Sequence, residues 1–223
     1  MNNAISTNIF TQVSAKRIVG GILLLLACMF ILNYASYLTI YKGRFVNYLL
    51  LRGVETDVID AQIAERAYQL KDFLSIAGMF LLTILSVSVV MYLGLYVINN
   101  IKRRFAIVLQ VVVISMSVFV AEYLAEFLWL YLVKPDYTSI ELMGFTLFSA
   151  LQLFDINTTP SYLLYALQTI NLWELLFCLT LAYGLSRSTG IKYSIMLKST
   201  SIIYGGALLL WILLIMSLNL FLN

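Results

Sequence analysis

Five apolar stretches dominate this sequence: Ile18–Tyr41, Phe73–Ile98, Phe105–Val133, Ser161–Leu185 and Ser199–Leu222. A helix needs roughly 20 apolar residues to cross about 30 Å of hydrocarbon at about 1.5 Å per residue, and each stretch meets that length. With 62% hydrophobic residues, 11% charged residues and a mean hydropathy of +0.93, the chain lacks the polar surface that a water-soluble domain requires. The expected fold is all-α, one polytopic transmembrane domain over residues 1–223 with five membrane-spanning helices. Ile18–Tyr41 is too long for the core of a cleavable signal peptide and is expected to stay as the first span.

The connections set the threading. Lys16 and Arg17 precede the first span, Lys102, Arg103 and Arg104 separate the second from the third, and Arg187, Lys192 and Lys198 separate the fourth from the fifth. No acidic residue lies in these three segments, whereas all acidic residues outside the spans fall in the other connections. The positive-inside rule then places the N-terminus in the cytoplasm and the C-terminus outside. Residues 42–72 set Lys42, Arg44, Arg52, Arg66 and Lys71 against Glu55, Asp57, Asp60, Glu65 and Asp72. After Gly53 and an acidic first turn, apolar residues recur at Ile59, Ile63, Ala67, Leu70 and Leu74, which predicts an exterior amphipathic helix running into the second span. Ile140–Phe154 is apolar but too short to cross, and its flanks are turn-rich, so a short interfacial helix is expected there.

Several function classes are excluded by missing residue types. The chain has no histidine, which removes Ser–His catalysis, zincin motifs and His-ligated haem. A net charge of +3 with no basic run longer than Lys102–Arg104 gives nucleic acid no footprint. Neither a Walker-type phosphate loop nor a pair of Asp residues within spans is present, and Cys28 and Cys178 sit in apolar stretches as packing residues. No catalytic residue, metal site or cofactor is expected.

The residues that ask for an explanation are polar ones inside spans. Glu174, with Asn171 and Trp173, falls near the middle of the fourth stretch, and Glu122 and Glu126 lie four apart toward the far end of the third. An acid at membrane depth normally faces the bundle interior and marks a pathway or a pairing site. Glu174 would either carry its proton and lock two helices, or meet water as part of a proton or cation route with Glu122 and Glu126. Asn33, Tyr34 and Tyr37 of the first span are candidates to reach it. Small residues Gly78 and Gly94, and Ser201, Gly205, Gly206 and Ala207, provide faces for close helix packing. Ile59, Ile63 and Leu70 together with Gly205 and Gly206 form the candidate partner-contact face.

The fourth span, Gln168 through Glu174 leading to Leu181–Leu185, together with Phe105 after the Lys–Arg cluster and a basic loop before the last span, resembles the Yip1 family, particularly its bacterial branch. The resemblance implies a compact five-helix membrane protein without enzymatic activity. Eukaryotic members are tied to small GTPases through a long cytosolic N-terminal region; only residues 1–17 precede the first span here, which argues against a GTPase partner. The expected role is a non-catalytic interaction or scaffold subunit of a larger complex in a bacterial inner membrane, contacting other integral membrane proteins and lipids. The alternative is a small transporter or channel subunit coupled through Glu174. The absence of evident repeats, charged partners and discontinuous helices weighs against that alternative.

Overall fold

Apolar residues spaced three and four apart decide which face of each helix turns inward. In the computed structural model, which describes residues 15–41, 70–100, 104–133, 145–155 and 158–222, the helices are α1 (Ala15–Ser36), α2 (Leu70–Asn99), α3 (Phe105–Ser115), α4 (Ser117–Leu132), α5 (Ser161–Thr169), α6 (Leu172–Thr189) and α7 (Tyr193–Leu222). No strand occurs among the described residues. On α2 the buried stripe is Ala77, Phe80, Ile84, Ser88, Met91 and Leu95, a helical period sustained over five turns. The opposite faces expose Leu23, Leu24 and Ile31 on α1, Leu82 and Leu85 on α2, and Leu209, Leu210 and Leu213 on α7. So large an exposed apolar surface belongs in lipid.

Among the described residues four helical stretches are long and apolar enough to cross a membrane: Ala15–Thr39, Phe73–Ile98, Phe105–Leu132 and Tyr193–Phe221. The protein is membrane-embedded. The first stretch continues past α1 into a wider π-type turn at Tyr37–Tyr41. The third is α3 and α4 joined at Met116, whose φ of −60° and ψ of −14° keep the chain right-handed, so the two act as one rod.

The remaining apolar stretch departs from expectation. Ser161–Leu185 is not one helix: it is broken between α5 and α6 at Ile170 and Asn171. Ile170 has ψ 87° and Asn171 is extended at φ −137°, ψ 166°. Asn171 makes the break by capping α6, its Oδ1 accepting from the Glu174 N–H at 2.7 Å while its Nδ2 donates to the Gln168 carbonyl at 3.1 Å. At its other end α6 stops at Gly190, whose φ of 75° lets its N–H reach the Ser186 carbonyl at 2.9 Å.

Helix α6 is the centre of the bundle. It packs against α3, α4 and α7, and its Phe177, Leu181 and Leu185 are fully buried. Along α7 the contacts run in reverse order, Cys178 at Ser201, Glu174 at Tyr204 and Tyr165 at Trp211, so α5 and α6 together lie antiparallel to α7 despite the break. Gly94 of α2 meets Ile203 of α7, and Gly21 of α1 meets Val113 of α3. These pairings bring the start of α1, the end of α2, the start of α3 and the α6–α7 turn to one end of the bundle, which gathers Lys16, Arg17, Arg104, Arg187 and Lys192 there.

The amphipathic helix expected to carry Ile59 and Ile63 lies outside the described residues, and Leu70 opens α2 with its side chain outside them too. Of the interfacial helix expected at residues 140–154, the described part is not α-helical; it is extended and turn-like to Ser149, with a single 3₁₀ turn at Ala150–Leu153. Phe148 takes a φ of 62° in that segment.

Candidate functional site

A helix break inside an apolar bundle frees backbone groups that must find partners. Here the segment Phe145–Asp155 supplies them. The Ala150 N–H donates to the Ile170 carbonyl at 2.8 Å, the Leu172 N–H donates to the Phe148 carbonyl at 3.2 Å, and Ser149 and Asn171 form an isolated antiparallel bridge. Two side chains then grip Leu147: its N–H donates to Glu126 Oε1 at 3.0 Å, and its carbonyl accepts from Trp173 Nε1 at 3.0 Å. Glu126 lies six residues before the end of α4, so the segment reaches about 9 Å below that helix end.

Three acids stand around this junction. Glu122 of α4 is 9% exposed and one turn from Glu126, whose partner Leu147 is bonded in turn to Trp173, the chain neighbour of Glu174 in the first turn of α6. Glu174 is held on its far side by Tyr204 of α7, whose hydroxyl donates to Oε2 at 2.5 Å. Two of the three carboxyls are thus committed, Glu126 to a backbone N–H and Glu174 to a phenol. Glu122 receives no hydrogen bond from a described residue. Opposite Asn171 in the bridge, the Ser149 hydroxyl is buried without a partner; paired bridge residues share a face, so it sits on the side from which Asn171 caps α6. Among the described residues no group of three His, Cys, Asp or Glu is placed to hold a metal ion.

Of the residues singled out in the sequence, Glu174, Asn171, Trp173, Glu122 and Glu126 all fall at this junction. Asn33 does not reach it, for its amide bonds to the Met29 carbonyl of its own helix at 3.0 Å. Gly205 and Gly206 lie elsewhere on α7, and a Cβ at either would meet nothing within 4 Å. Tyr204 and Ser149 are the members that sequence reasoning passed over. Asn171 and Glu174, three residues apart, carried a further overlooked signal: Asn-x-x-Glu ahead of an apolar run marks a helix N-terminus. The Glu174 carboxylate uses that position to reach α7 rather than to close the box.

The fold and the site define a class: an all-helical membrane protein with an acid cluster at a discontinuous helix. No protein-family model matches the chain, and no curated protein or solved structure matches it either.

Proposed function

We propose that this chain is a five-crossing membrane protein whose acid junction binds and releases protons or cations as the coupling element of a small transporter or channel. The observation that carries the reading is Glu122, buried beside Glu126 and Glu174 with no hydrogen bond from a described residue, at a break in the helix that centres the bundle. Three negative charges in an apolar interior repel, and a shared proton or a small cation relieves that repulsion. Irregular backbone at membrane depth occurs where it is buried in protein or lines a cavity, and broken helices are where transporters bind their ions. The discontinuous helix whose absence counted against transport in the sequence is present at Ile170 and Asn171.

The fifth crossing in this reading is α5 plus α6, supported by their combined antiparallel course along α7. The gathering of basic residues at one bundle end supports a cytoplasmic N-terminus and an exterior C-terminus in a bacterial inner membrane. The likeness to the Yip1 family fits five crossings and no enzymatic role.

Charge movement after a pH jump on a solid-supported membrane tests the reading without knowledge of a substrate. Liposomes holding the protein should show a transient current absent from protein-free liposomes. Glu122→Gln and Glu174→Gln should each reduce the displaced charge by at least about tenfold, because an amide keeps the shape but binds no proton. Wild-type protein giving no more charge than lipid alone would end the coupling idea.

A second reading, a non-catalytic subunit of a larger membrane complex, is favoured by Gly205 and Gly206. Gly94 and Gly21 are already packed against neighbours within the chain, whereas Gly205 and Gly206 have open space above them. Gly205→Leu with Gly206→Leu should leave the stability of the purified protein within about 0.5 kcal/mol. Under the subunit reading the same pair should remove companions from a native-membrane purification; unchanged companions would refute it for this face.

A further inference from the structure

The segment that closes the helix break is held differently from the rest of the bundle. Its side chains alternate, with Leu147, Ser149 and Leu151 buried and Phe148 and Gln152 exposed. Among the described residues, the main buried cluster is built from the helices and takes no residue from this segment. Phe145 packs instead in a small satellite cluster with Phe127 and Leu130 of α4. Much of the attachment therefore falls to hydrogen bonds, the mark of a unit that opens before the fold does. The left-handed Phe148, which persists only under restraint, favours the same opening.

One of those bonds is made by a member of the acid junction. Glu126 Oε1 accepts from the Leu147 N–H, and no other bond reaches Glu126 from a described residue, which leaves Oε2 open to a proton. An ionised carboxylate makes a charge-assisted bond roughly twice as strong as a neutral one. The other ties, from Trp173 Nε1 and between Ala150 and Ile170 and Leu172 and Phe148, join neutral groups and do not titrate. Glu126 is thus the one tie through which pH acts on the segment.

No cationic side chain stands at its depth among the described residues of the elements packed on α4. Gly21 packs on Val113, and thirteen residues further along each helix come Tyr34 and Glu126. The titratable groups at this level are Tyr34 and Tyr37 from α1 and its π turn, Glu174 from α6, Asp155 from the segment, and Glu122 and Tyr123 on α4 itself. Helix α3 carries none.

Building on the coupling reading above, we propose that Phe145–Asp155 is a latch over the acid junction, tied while Glu126 is ionised and released when Glu126 takes up a proton. The proton adds to Oε2, and Oε1 remains as a neutral and weaker acceptor for the Leu147 N–H. Above the titration of Glu126 the segment is tied; below it the segment loosens. Linkage runs both ways, so a segment already loosened makes Glu126 easier to protonate. The junction holds the ion, and the latch is the part that moves with it.

Amide exchange of the whole protein in nanodiscs tests the latch, once the intrinsic pH dependence of exchange is divided out. As pH falls, protection at Leu147, Ala150 and Leu172 should drop together by about fivefold. In Glu126→Gln, which takes up no proton, the three should stay constant. Trp173→Phe removes a tie without touching a carboxyl. Where its three amides have lost protection, proton uptake in the pH-jump measurement should shift to higher pH by up to about 0.7 unit, the same fivefold seen from the other side. Protection in the wild type that ignores pH would overturn the latch, and a pH dependence kept by Glu126→Gln would overturn Glu126 as its tie. Loss of protection that follows sodium at fixed pH would overturn the proton as the releasing ion. Wild-type protein that loses protection at low pH yet displaces no charge would support the latch and fault the coupling reading alone.

Discussion

Gly94→Val is expected to force α2 and α7 apart. A Cβ at position 94 would fall against three atoms of Ile203, with Cγ1 at 2.8 Å and Cδ1 at 2.9 Å, closer than real Cβ contacts come. Ile203 cannot swing aside easily: it is 7% exposed, branched at Cβ and stiff about χ1 on a helix. It belongs to the same buried cluster as Met91 and Leu95 of α2. Overpacking of this kind costs about 1–3 kcal/mol, and valine adds two methyl groups beyond the offending carbon. Reversible unfolding in mixed micelles should show alanine at 94 destabilising and valine more so. Ile203→Ala in the Gly94→Ala background should restore part of the loss, since the two changes share one contact. Gly78→Ala, where nothing lies within 4 Å, should stay within about 0.5 kcal/mol. If Gly94→Val unfolds at the wild-type midpoint, α2 and α7 do not meet here.

The same glycines mark how far the sequence could be read. That Gly94, Gly205 and Gly206 are small is plain from the letters, but which of them a neighbour uses depends on how α2 and α7 cross. Four of the five apolar stretches appear as helices of membrane length because length and hydropathy are properties of a single segment. The fourth stretch misled for the same reason: an apolar window averages over residues 161–185 and cannot register that Asn171 diverts the backbone. The capping pattern of Asn171 and Glu174 was visible, yet inside an apolar run it looked like a polar patch on a continuous helix.

The acid junction was legible in its members and not in its assembly. Counted along the third stretch from Arg104, Glu122 and Glu126 fell toward the far end, so a shared route with Glu174 was one reading and an ordinary interfacial pair the other. They meet because α4 packs on α6 and because Phe145–Asp155 turns back toward the break, neither of which has a local sequence signal. Tyr204 was hidden among fifteen tyrosines, most of which suit an interfacial belt. Its place opposite Glu174 follows from the register of α7 against α6.

Loss of the grip on Leu147 should free the whole segment that closes the break. Phe148 holds a left-handed φ of 62°, a conformation that costs a residue with a Cβ about 1–3 kcal/mol and persists only where its surroundings enforce it. The enforcement comes from Glu126 on the Leu147 N–H, Trp173 on the Leu147 carbonyl, and the two backbone bonds to Ile170 and Leu172. In Glu126→Leu the Leu147 N–H is left without its acceptor, at a cost of about 1–3 kcal/mol, and Leu147 itself is 4% exposed. Hydrogen exchange at the Leu147, Ala150 and Leu172 amides should then accelerate together by about tenfold to hundredfold, because one opening event exposes all three. Glu126→Gln keeps a carbonyl acceptor without the charge and should fall between the variant and the wild type. Trp173→Phe should have a smaller effect than Glu126→Leu, since an under-satisfied carbonyl is tolerated better than an orphaned N–H. Acceleration confined to Leu147 would mean that Ala150 and Leu172 are held by the helix break alone, and that the acid junction and the segment beneath it do not move as one unit.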